Sequence, residues 1–209
     1  MTTANKITIV RILMIPLFVM MAVYYGKSVQ HGHPQDWERY LTIFIFIAAA
    51  ASDGVDGYVA RRFNQKSHLG TILDPIADKG LLLAAIITLS FSNWTYEFPV
   101  WFPVLVIARD IVILSGAAIL HYLTGHVVVK PSWMGKTATA MQMVAIACIL
   151  LQLHPFETLN THFLGLDFQI DFLDIPVVLA GFFTLVSGIR YVMNGIIQLQ
   201  AGGHGDARS

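Results

Sequence analysis

Four aspartates carry the chemistry this chain is able to attempt. Asp53 and Asp56 are three residues apart, and Asp74 and Asp78 are four apart. On helices both spacings put the two carboxylates of a pair on one face. The stretch that holds them, SDGVDGYVARRFNQKSHLGTILDPIADKG from Ser52 to Gly80, lies between apolar runs. If the pairs sit on consecutive antiparallel helices joined by the short basic link RRFNQKSH, four carboxylates converge near one membrane surface. Like charges so close raise one another's pKa strongly, so a cation must neutralise them. An all-oxygen donor set suits Mg²⁺, Mn²⁺ or Ca²⁺. No histidine or cysteine here has the spacing of a zinc site. Four carboxylates suffice for two divalent ions with bridging ligands, the arrangement that stabilises in-line phosphoryl displacement. Arg61, near the same end, is placed to hold a phosphate that the ions also touch. Gly54, Gly57 and Gly70 remove side chains where helices or a bulky ligand must approach. The plainer alternative pairs two carboxylates with arginines and leaves two exposed. The cost of about 2.5–3.5 kcal/mol for each charge at a span centre weighs against it.

The elements that must position these residues are membrane helices. The chain has 209 residues, of which 56% are hydrophobic and only 12% charged, half the charge of an ordinary soluble domain. Six apolar segments approach the ~20 residues that a helix needs to cross the hydrocarbon core. They run over Ile7–Tyr25, Tyr40–Val59, Gly70–Leu89, Pro99–Leu123, Trp133–Leu153 and Phe172–Ile197. The expected fold is therefore all-α, a bundle of six transmembrane helices forming one domain over residues 1–200, with a flexible tail over 201–209. The first apolar run is read as an uncleaved span, since no small-residue cleavage site follows it. Six spans put both termini on one side with the second and fourth links. That side collects Lys6, Arg11, Arg61, Arg62, Lys66, Lys130, Lys136 and Arg208, against Lys27 and Arg39 on the other. The termini and the basic link are thus expected in the cytoplasm. Tyr24, Trp37, Tyr40, Trp94 and Trp101 are expected as interfacial anchors. Lys79, Arg109 and Arg190 fall within or at the rim of spans, where charged residues face the bundle interior or a cavity. The single cysteine, Cys148, is read as a small core residue.

From Asp53 to Asp78 the chain also resembles a known signature. Asp53, Asp56, Gly57, Ala60, Arg61, Gly70, Asp74 and Asp78 match all eight fixed positions of D-x2-D-G-x2-A-R-x8-G-x3-D-x3-D, the pattern of the CDP-alcohol phosphatidyltransferase family. The resemblance implies transfer of a phosphatidyl-type group from a CDP-linked donor to an alcohol, with release of CMP. It implies that Asp53, Asp56, Asp74 and Asp78 are metal ligands, and that Asp78 is also the general base for the acceptor hydroxyl. Gly57, Ala60, Arg61 and Gly70 would wall the CDP moiety. The implied cofactor is Mg²⁺ or Mn²⁺, as two divalent ions, and the implied donor is CDP-diacylglycerol. A homodimer in a bacterial-type cytoplasmic membrane is expected on the same ground.

The flanks bear on the acceptor. NKITIVRILMIPLF is similar to the opening of the family's phosphatidylglycerophosphate-synthase and cardiolipin-synthase branches. Asn5, Thr8 and Arg11 either line the nucleotide site or, for the first two, cap a helix and, for the third, snorkel to the surface. Lys136, Arg109 and Arg190 would suit an acceptor that itself bears phosphate. Glycerol 3-phosphate is the first choice, with phosphatidylglycerol as the alternative acceptor. The stretch Gly135-Lys136-Thr137-Ala138-Thr139 has alanine where many phosphatidylglycerophosphate synthases carry a second lysine, which favours the alternative. A zero formal net charge argues against a nucleic-acid partner. A membrane cation transporter is the competing class. No internal repeat supports it, and the aspartates gather at one face, where no through-path would put them.

Overall fold

In lipid a backbone finds hydrogen-bond partners only within itself, so long apolar runs become helices. The computed structural model describes residues 3–62, 68–124, 133–152, 159–163, 166–170 and 174–203, with side chains for 8–52, 77, 79–119, 122, 133–152 and 174–197. The helices are α1 (Thr3–Gln30), α2 (Asp36–Arg62), α3 (His68–Phe91), α4 (Trp101–Thr124), α5 (Trp133–Leu151) and α6 (Asp174–Gly203). Each falls on one of the six expected segments. Between α5 and α6 the all-helical expectation needs amending. Strands β1 (Leu159–Phe163) and β2 (Leu166–Ile170) pair antiparallel there, with Leu159 opposite Ile170, Thr161 opposite Phe168 and Phe163 opposite Leu166. The sequence LDFQI alternates apolar and polar, which is the period of a strand. It is simply too short to stand out beside six long apolar segments.

Among the described residues four stretches are long and apolar enough to cross a membrane: Thr8–Gln30, Trp101–Ile119, Trp133–Leu151 and Asp174–Ile197. α3 contributes a shorter apolar run over Lys79–Phe91. Leu13, Leu114, Val178 and Phe182 on these helices are exposed, a surface that water would not tolerate and lipid solvates. The protein is membrane-embedded.

The chain forms two compact units, Met1–Pro99 with Ile146–Leu153, and Val100–Ala145 with His154–Ser209. In the first, α1 packs against both α2 and α3. Its inward stripe is Thr8, Arg11, Phe18, Ala22 and Tyr25, all buried at the three-and-four spacing of a helix face. Phe18 meets Phe46 of α2 with ring centroids 5.6 Å apart. Past the end of α3, Trp94 is buried and not an interfacial anchor. Its Nε1 donates to the Ala22 carbonyl at 2.9 Å, and its ring packs edge-on to Tyr25 at 4.6 Å. A buried indole needs an acceptor, and here the α1 backbone supplies it. Tyr24, Trp37, Tyr40 and Trp101 are exposed, as anchors should be. The segment after α3 lies so close to α1 that a Cβ on Gly26 would fall 1.6 Å from the Ser92 carbonyl oxygen. Gln152 closes α5 with φ +47°; it accepts from Arg39 Nη1 at 2.7 Å and donates to Tyr25 Oη at 3.1 Å. These contacts fasten the end of the unit opposite the aspartates.

In the second unit α4 packs on α6. Gly181 makes room for the Trp101 ring, and Gly116 for Tyr191. Gln142 of α5 donates from Nε2 to Thr184 Oγ1 of α6 at 2.8 Å, in the buried interior.

Candidate active site

Three contacts fix the register of the first unit. Phe18 meets Phe46, Arg11 meets Ser52, and Ile15 Cδ1 lies 3.3 Å from where a Cβ on Gly80 would be. With Gly26 also against Ser92, just past the end of α3, α1 runs antiparallel to α2 and parallel to α3. Asp53 and Asp56 follow Ser52 by one and four residues, and Asp74 and Asp78 precede Gly80 by six and two. At about 1.5 Å rise per residue, both pairs fall within the same two turns, level with the first half of α1's inward stripe. On α2 the described buried positions are Thr42, Ile45, Phe46 and Ala49, and on α3 Ala77, Leu81, Ala85 and Leu89 are buried. The side chains of the four aspartates, with those of Asn5, Gly57, Ala60, Arg61 and Gly70, lie outside the described residues. Their helices and axial level do not.

Arg11 and Thr8 sit at that level with described side chains. Arg11 is 0% exposed and Thr8 1% exposed, so Arg11 does not snorkel and Thr8 does not cap. Thr8 lies five residues inside α1, where no N–H awaits a cap. Arg11 Nε donates to Ser52 Oγ at 3.2 Å, and Ser52 Oγ donates to the Ala49 carbonyl at 2.7 Å. Sequence reasoning left Arg11 between two roles and passed over Ser52. The signal was there in the spacing, since Arg11 continues the stripe of Phe18, Ala22 and Tyr25 and so had to point inward.

Four carboxylates are of a chemistry that suits hard divalent ions. They belong to two consecutive helices at one level, where uncompensated charge would be costly. Among the described residues, which exclude the four aspartate side chains, no group of three or more His, Cys, Asp or Glu is arranged to hold a metal.

The cations expected to meet an acceptor phosphate all belong to the second unit. Arg109 of α4 is largely buried; its Nη1 donates to Asp110 Oδ1 at 2.8 Å and its Nη2 to Ser187 Oγ of α6 at 3.0 Å. Its Nε is buried without a partner. Arg109 also borders a groove of about 350 Å³ between α4 and α6, otherwise lined by apolar side chains such as Leu105, Val112, Leu185 and Val192, with Thr184 as its other polar residue. Arg190 lies one turn beyond Ser187 but is exposed, contrary to the expectation that it faces inward. The inward stripe of α6 runs through Val177, Ala180, Thr184 and Ser187, and position 190 lies to the side of its continuation. Lys136, in the first turn of α5, is exposed. Among the described residues it makes no side-chain contact with either arginine.

Comparison with known proteins places these helices in context. A family profile described as CDP-alcohol phosphatidyltransferase matches residues 1–192. A Bacillus subtilis (strain 168) protein named CDP-diacylglycerol--glycerol-3-phosphate 3-phosphatidyltransferase is 34% identical over 190 residues, covering 90% of this chain and 91% of its own length. An Escherichia coli (strain K12) protein of the same name is 36% identical over 146 residues, covering 69% of this chain and 74% of its own.

Proposed function

The chain belongs to the CDP-alcohol phosphatidyltransferase family, and we propose that it transfers the phosphatidyl group of CDP-diacylglycerol to glycerol 3-phosphate and releases CMP. The observation that carries this reading is the similarity, over nine-tenths of the chain, to a protein named for that reaction. The common level of the two aspartate pairs supports the chemistry.

Asp53, Asp56, Asp74 and Asp78 hold the metal, Mg²⁺ or Mn²⁺, as two ions. When bound, these ions supply charge neutralisation for the donor's pyrophosphate. Asp78 takes the proton of the acceptor's primary hydroxyl as that oxygen bonds to the phosphorus bearing the diacylglycerol, and the bond from that phosphorus to CMP breaks. Gly57, Ala60 and Gly70 give the CDP moiety room, and Asn5 and Thr8 border it from α1. Arg61 holds its phosphates. Lys136, Arg109 and Arg190 receive the phosphate of the acceptor. In this reading all six helices cross the bacterial cytoplasmic membrane, the aspartates open to the cytoplasm, and the protein works as a homodimer. The nucleotide then enters from water while the acyl chains of the donor stay in lipid.

Phosphatidylglycerol is the second acceptor to weigh, because Ala138 stands where a further lysine would serve a small phosphorylated acceptor. Purified protein in nanodiscs, given CDP-diacylglycerol, Mg²⁺ and either acceptor, separates the two. Release of CMP with phosphatidylglycerophosphate as the lipid product is expected, and EDTA is expected to abolish it. Cardiolipin as the product would move the assignment to the second acceptor. Absence of CMP release with any alcohol would overturn the reading.

A further inference from the structure

We propose that Arg11 is a positioning residue that pins Ser52, and through it the helical turn carrying Asp53 and Asp56, so that metal affinity depends on the Arg11–Ser52 pair. The inference rests on the reading of the aspartates as metal ligands. Arg11 lies in a stretch apolar enough to cross a membrane, yet none of its surface is exposed. A guanidinium in such a place needs fixed hydrogen-bond partners. One is Ser52 Oγ, at 3.2 Å from Nε. The serine hydroxyl is held from both sides. Its proton goes to the Ala49 carbonyl at 2.7 Å, and its lone pair accepts from Arg11. A serine that bonds back to its own helix tends to loosen and bend it. A rigid donor from a neighbouring helix fixes the rotamer and the local backbone. Ser52 is the residue before Asp53, so this cross-link lies at the point where α2 passes from its packed apolar face to its carboxylates. The pair thus orients ligands that it does not replace, as partners behind metal ligands do.

Three variants keep the charge at position 11 while altering the link. Ser52→Ala removes the acceptor, Arg11→Lys removes the planar donor, and Ser52→Thr keeps the hydroxyl. The readout is Mn²⁺ binding to the purified full chain in nanodiscs, measured by electron paramagnetic resonance, with the metal dependence of CMP release beside it. Ser52→Ala and Arg11→Lys are expected to weaken Mn²⁺ binding about tenfold, with Ser52→Thr within about threefold of the parent. The half-saturating metal concentration should rise in step, while turnover at saturating metal falls by much less. Variants that lose thermal stability but bind Mn²⁺ as the parent does would make the pair a structural brace and overturn the proposal. A raised KM for CDP-diacylglycerol with unchanged Mn²⁺ affinity would overturn it too, making Arg11 a direct donor ligand. Should Arg11→Lys fail to fold, Ser52→Ala decides alone. A parent chain that binds no Mn²⁺ would instead bring down the metal reading of the aspartates.

Discussion

At the scale of the residue, charge placed in lipid has to be compensated, and each candidate side chain is tested by how. Arg109 is compensated within its own unit, by Asp110 and Ser187, and its buried Nε makes no hydrogen bond. Lys136 is exposed, which suits a cation that meets a water-soluble acceptor. Lys136→Gln should raise the KM for glycerol 3-phosphate at least tenfold, the worth of about 1.5–3 kcal/mol for a charge-assisted bond, while the KM for CDP-diacylglycerol stays as it was. Steady-state kinetics with each substrate varied in turn would check this. Asp78→Asn keeps the shape of the side chain and removes the base. Turnover should fall about 10²–10⁴-fold, read as CMP release at saturating substrates. Full activity in that variant would leave the acceptor proton to another group.

Elements here are set by how closely helices approach. Gly26 has no alternative residue, because the atom a Cβ would strike is a backbone oxygen, which cannot swing aside as the end of a side chain can. Gly26→Ala should cost about 1–3 kcal/mol or more and lower the thermal midpoint in detergent by several degrees. The same midpoint unchanged would mean that the 92–98 segment is free to withdraw from α1. Thr184→Val strands the buried amide of Gln142 and should cost about 1 kcal/mol. Adding Gln142→Leu should recover part of that loss, because both polar partners are then gone. A double-mutant cycle on the unfolding free energies measures the coupling, and additive losses would deny it.

For the whole molecule the question is which face meets the cytoplasm. The basic link after α2 favours the aspartate end. Arg11 no longer counts in that tally, since it is buried among helices, but Lys66 and Arg61 still do. In a Cys148→Ala background, Glu97→Cys should react with a membrane-impermeant maleimide on intact cells. Gln65→Cys should react only after the membrane is opened. The reverse pattern would invert the topology and place the site on the wrong side for CDP-diacylglycerol and glycerol 3-phosphate.

The sequence by itself determined the six helices and the spacing of the aspartates. Both are local properties: lipid acts on the composition of each segment, and three- and four-residue steps fix a face on any helix. It could not decide which way each helix turns about its axis, because that depends on what packs against it. Hence Arg11 was left between surface and interior, while Arg190 was expected inward and Trp94 as an anchor, and both expectations fell once α1, α2 and α3 were seen in register and α6 was seen against α4. The hairpin before α6 was hidden for a related reason. Its five-residue strands are stabilised by pairing with each other, and the sequence does not display that pairing as it displays a span.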